Sequence, residues 1–214
     1  MKKIILPKTA KVGPYNYKVI FPYSFEEDQD MLGLSDHKCM YIKVAEEYGS
    51  LKMTNIRVLE IFMHELVHSI DFCYFSERME ENTVIELGRS ITQVLTDNNL
   101  KLYDKNYFPK KIRVGCFTYS IVYNHKFADS YKDDSAAVNH INQKIHIRDS
   151  RTNSEEFSFE YKKALLLEMI VSSMVYVYNI ELPEMFNAEI FANGLYQVIV
   201  DNKIEQLISN TKLN

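Results

Sequence analysis

The chain has 214 residues, 46% hydrophobic and 25% charged, with a formal net charge of -4. That length buries the core of one large domain or two small ones, and the composition is ordinary for a globular protein. The mildly acidic balance sets up no field that would gather nucleic acid or an anionic membrane surface, so neither is expected as a partner.

Met1 to Leu6 begins like a signal peptide, but Pro7, Lys8 and Lys11 cut the apolar run short. The most apolar stretch, Ala164 to Tyr178, is too short to span a bilayer and carries Glu168. Cys39, Cys73 and Cys116 are odd in number and lack CxxC spacing. They read as free thiols and small core residues in a cytoplasmic protein. The densest basic run, Lys110-Lys111-Ile112-Arg113, reads as a solvated loop rather than a nucleic-acid stripe.

Val12 to Val19 alternates around Gly13 and reads as a hairpin or opening strand, and Cys39 to Lys43 as a further strand. A helix is predicted from Asn55 to Phe75. Asn55 offers an N-cap, and Ile56, Leu59, Phe62, Met63, Leu66, Val67 and Ile70 recur at about 3.6-residue spacing. After a turn through Ser76 to Met79, a second helix is predicted from Glu80 to Thr96. Tyr103 to Lys110, with Asp104, Asn106 and Pro109, reads as a linker.

The same order then returns. Val114 to Ile121 repeats Val12 to Val19, Lys144 to Arg148 repeats the second strand, and helices are predicted at Phe159 to Tyr178 and Pro183 to Val200. Both closing helices end in Q-V-x-x-D-N, at Gln93 and at Gln197. The expected fold is therefore α+β, with two tandem repeats at residues 1–103 and 111–214, each a small antiparallel sheet followed by two packed helices.

Chemistry concentrates in the first long helix, where His64-Glu65-Leu66-Val67-His68 forms H-E-x-x-H. One helical turn stacks both imidazoles on one face, where they can share a zinc ion. Glu65 points off that line and can reach a water on the metal. A carboxylate at mid-helix between apolar flanks is costly to bury without a purpose. Sliding the two long helices together sets Glu65 over Glu168, Glu86 over Glu189, His64 over Leu167 and His68 over Val171. The second copy thus lacks both histidines, and His140 and His146 read as ordinary residues.

A catalytic zinc takes a third protein ligand. Glu86, on the helix expected to fold back over the His face, is the chosen ligand, with Asp71, Glu80 and Glu81 as the other candidates. Glu80 and Glu81 have an alternative use at a helix N-terminus. Asp71 is better placed to hold a His ring or a neighbouring backbone group as outer support of the centre.

H-E-L-V-H-S-I-D, followed by a short turn and a helix carrying Glu86, resembles the small zincin-type metallopeptidases of phages and mobile elements, close to a gluzincin arrangement. The resemblance covers about residues 12 to 100 and implies a zinc-dependent peptidase core with Glu65 as general base. It carries no substrate, and the tandem copy departs from it.

The expected function is hydrolysis of a peptide bond by Glu65-assisted attack of a zinc-bound water, with His64, His68 and Glu86 as ligands. The strand holding Tyr41 and Ile42 is expected to pair with an extended substrate, and Tyr41 or Tyr74 to donate to the oxyanion. The partner is then a protein or peptide substrate. The alternative is a binding module that uses the zincin scaffold to capture a host protein target. A purely structural zinc fits poorly, because closed structural sites are Cys-rich.

Overall fold

The computed structural model describes residues 3–26, 30–128, 133–150 and 155–210. Met1 and Lys2 of the N-terminal segment lie outside them.

The fold is α+β. Strands β1 (Thr9–Val12), β2 (Tyr15–Tyr23), β3 (Gly33–Asp36) and β4 (Tyr41–Ala45) form a sheet in the order β1-β2-β4-β3. β1 and β2 make the expected hairpin, turning at Gly13, whose φ of 55° suits a residue without Cβ. The expectation of an antiparallel sheet fails at its centre. β3 runs antiparallel to β4 from the outer edge, which returns β4 in the same direction as β2, so β2 and β4 pair in parallel. Alternation in a sequence gives the facing of a strand but not the direction of its neighbour. A two-stranded ribbon, β5 (Glu47–Tyr48) and β6 (Leu51–Lys52), leads into the helices.

Helix α1 spans Asn55–Phe75, as predicted, but its N-cap is Thr54, whose hydroxyl accepts from the Arg57 amide. Asn55 instead accepts from the Ile4 amide and pins the N-terminal segment. Val58, Leu59, Phe62, Met63, Leu66, Val67 and Ile70 are buried, each contributing about 1.5–3 kcal/mol relative to exposure. Helix α2 spans Glu81–Asn98 and packs back along α1.

The second half carries β7 (Lys111–Val114), β8 (Phe117–Val122), β9 (Ala136–Asn139) and β10 (Lys144–Ile147) in the order β7-β8-β10-β9, again with a parallel central pair. Helices α3 (Phe159–Tyr178), α4 (Ala188–Asp201) and α5 (Ile204–Asn210) follow. α4 begins later than the predicted Pro183, at the Asn187 cap, whose side chain accepts from Ile190.

The Q-V-x-x-D-N endings link the halves. Gln93 of α2 accepts from Gly115 of the second hairpin, and Gln197 of α4 accepts from Gly13 of the first. Asn98 brackets the backbone N–H and C=O of Arg113, and Asn202 brackets those of Lys11. One hydrophobic core runs through both halves. The cysteines are unpaired as expected, but Cys39 and Cys116 are exposed and so are not core residues, while Cys73 is half-buried and packs against the core.

Candidate metal centre

The turn after α1 decides what meets the histidines. Ser76 and Glu77 take positive φ, and the Asp71 carboxylate accepts from the amides of Arg78 and Met79. Asp71 is buried, and its carboxylate holds the backbone of this turn. This turn sends α2 back antiparallel to α1. The helices close tightly where a Cβ on Gly88 would lie 3.0 Å from the His64 Cα.

Glu81 lies two turns before Gly88 and therefore faces α1. Its Oε1 is 3.3 Å from His64 Nε2, its Oε2 is 3.2 Å from His68 Nε2, and the two Nε2 atoms are 3.1 Å apart. Among the described residues, His64, His68 and Glu81 are the one group of His, Cys, Asp or Glu side chains that could hold a metal ion. A tetrahedral zinc with bonds of about 2.0–2.1 Å needs donors about 3.3 Å apart, and this donor set fits.

Glu86, the expected third ligand, is not there. It lies off the Glu81–Gly88 face and lines a separate cleft with Arg78, Thr83, Tyr178 and Glu181. The α2 helical phase corrects the choice, and Gly88, two turns after Glu81, was the available sequence signal.

Glu65 is 3% exposed, with Oε1 3.8 Å from His64 Nε2. Ser35 on β3 donates to its carboxylate at 2.7 Å and to its backbone carbonyl at 2.9 Å. Gly33 makes room, since a Cβ there would stand 2.2 Å from Glu65 Oε1. Burial pushes the Glu65 carboxyl up to about 7, partly offset by the Ser35 hydroxyl. Burial, with His68 beside it, holds His64 down to about 4, so its imidazole is neutral at pH 7 and keeps a lone pair for a metal. Neither Ser35 nor Gly33 was singled out from sequence, because their role depends on β3 lying beside α1.

The expected substrate strand is also corrected. β4, with Tyr41 and the fully buried Ile42, is sandwiched between β2 and β3 and has no open edge. The outer strand beside α1 is β3. Tyr74 packs against Gly194 of α4 and Gly13 rather than at the centre. A cleft of about 410 Å³ opens between β3, α1 and α2 and reaches His64, Glu65 and Glu81. A larger one, about 800 Å³, adjoins it at Met31 but contains none of these groups, so size does not identify the site.

Matching contacts recur in the two halves at an offset of 104 in the helices. The caps Thr54 and Ser158 show it, as do Ser69 and Ser173, which bond back to the carbonyls of Glu65 and Met169. The expected superposition of Glu65 on Glu168 is therefore one residue out. Glu168 stands where His64 does, Met169 where Glu65 does and Ser172 where His68 does, while α4 begins only at Ala188 and so has no helical residue at the place of Glu81. His140 and His146 belong to no metal-holding group among the described residues.

Compared with known protein families, curated proteins and solved structures, the chain matches none.

Proposed function

We propose that the chain is a zinc-dependent metallopeptidase of zincin type, its metal held by His64, His68 and Glu81 and its general base Glu65. The reading rests on one observation: three donors about the right distance apart for a tetrahedral ion, beside a buried carboxylate. Zinc, when bound, would polarise a peptide carbonyl and acidify a water. Glu65, oriented by Ser35, accepts the proton of the attacking water and passes it to the leaving amine. β3, as the outer strand beside Glu65, offers backbone groups along which an extended peptide can lie.

The same reading takes the halves as tandem zincin-like copies, the second having lost its chemistry. The recurring strand order and the paired contacts support it.

The test is metal content by plasma mass spectrometry, on protein purified without metal-affinity steps. About one zinc per chain is expected, lost in His64→Ala, weakened at least about 100-fold in Glu81→Gln and unchanged in Glu86→Gln. A wild-type chain that cannot be loaded with zinc would overturn the reading.

A further inference from the structure

The cleft has a second charged end. Along α1, the face that carries His68 and His64 continues through Ile61 to Arg57. Along α2, the face that carries Glu81 continues through Ile85 to Arg89. The helices run antiparallel, so Arg57 and Arg89 meet about two turns, roughly 10–12 Å, from the metal donors. Glu60 lies between them, accepting from Arg57 Nη1 at 2.6 Å and from Arg89 Nε at 3.0 Å.

This trio leaves binding capacity unused. Two guanidinium groups share one carboxylate, so the cluster carries one surplus positive charge. Each arginine spends one of its five N–H donors on Glu60 in these bonds. The Glu60 side chain is 23% exposed, while those of Arg57 and Arg89 are 40% and 60% exposed, and all three residues line the cleft. Asp30, across the cleft, is engaged by the Tyr48 hydroxyl. The other half has no matching trio. Tyr161, Ala164 and Asn193 occupy the matching places there, in the half that also lacks the metal donors.

We propose that Arg57 and Arg89, set by Glu60, form a carboxylate-binding subsite that selects substrates bearing a carboxylate about three extended residues from the scissile bond. This rests on the metallopeptidase reading above. An aspartate or glutamate side chain and a free C-terminus present the same chemistry, and the probes can separate them.

The experiment measures binding, by calorimetry on the zinc-loaded full chain, of two series of short peptide hydroxamates. One series carries the hydroxamate at its C-terminal end and the other at its N-terminal end. Each is varied Asp against Asn at every position, and the second is also varied amide against free acid. At one position, or at the free terminus, the carboxylate form is expected to bind about tenfold more tightly than its neutral isostere. Arg57→Gln/Arg89→Gln should bring that ratio to about one while leaving the neutral probes unchanged. Glu60→Gln, which removes the competing carboxylate, should raise it. Hydroxamates that bind with no carboxylate preference anywhere would overturn the subsite and leave the metal centre standing. Failure of every probe to bind a zinc-loaded chain would overturn the peptidase reading, and the subsite with it.

Discussion

The two halves share a frame and differ in what is mounted on it. In the first, the Tyr17 hydroxyl meets His37, whose ring stacks on Phe72. In the second, Tyr119 meets His140, stacked on Tyr176. His37 lies near the candidate centre and invites a catalytic role. Its twin stands in a half with no metal-holding group among the described residues, so the Tyr–His–aromatic stack recurs without such a centre beside it. On the cleft face the halves differ in kind: the long helix carries His64, Glu65 and His68 in the first and Glu168, Met169 and Ser172 in the second. The second half thus acts as an internal control for assigning roles in the first.

The sharpest way to break the comparison is to remove from the first half the carboxylate that the second lacks at the matching place. Glu65→Gln keeps the hydrogen-bond acceptor facing Ser35 but removes the base. We expect hydrolysis of a peptide substrate to fall about 1,000-fold with zinc content unchanged. Turnover that survives the substitution would place the base elsewhere.

A smaller effect is expected from Gly88→Ala. The second half carries Ala192, buried, at the matching place, so an alanine is compatible with that helix pair. In the first half the new methyl would press on the His64 backbone and push α2 outwards, carrying Glu81 away from the imidazoles. We expect a stability loss of about 1–3 kcal/mol by urea denaturation and zinc affinity about tenfold weaker. Unchanged zinc affinity would mean that the helix approach does not set the Glu81 position.

These contrasts also show what a sequence can carry. The apolar stripe of α1 and the His pair were legible, because helical periodicity fixes both within one element. The α1 and α3 boundaries follow from the same signal. Glu81 was legible only as one of the alternatives to Glu86, since its position depends on the phase of α2 against α1, set by the Asp71 turn and the close approach at Gly88. The register between the halves was misread because Glu65 and Glu168 share a charge. The buried serines Ser69 and Ser173, which keep the same backbone bond, were the truer markers. The subsite arginines gave no signal in sequence, as Arg57 and Arg89 come together only across the antiparallel pair.

The smallest expected effect sharpens the comparison away from the cleft. Where α1 buries Leu59, α3 buries Lys163, whose ammonium donates to the carbonyls of Asp104 and Tyr107 and lies over the rings of Tyr107 and Phe108. Glu205 of α5 accepts from the Leu102 amide at 2.5 Å and leaves its Oε2 buried without a hydrogen-bond partner. Burial pushes Glu205 up to about 7, against an ordinary value of 4.5, with the Leu102 and Tyr103 amides and Lys163 opposing. Between those values the folded chain binds more protons than the unfolded one, so this group's contribution to stability falls as pH rises from about 4.5 to 7. Glu205→Gln keeps the acceptor for Leu102 and removes the charge. We expect urea denaturation to show it stabilising relative to wild type by about 1 kcal/mol more at pH 8 than at pH 5. An equal effect at both pH values would mean that Lys163 compensates the buried carboxylate fully, and that the two charges tie the linker to the second half as a pair.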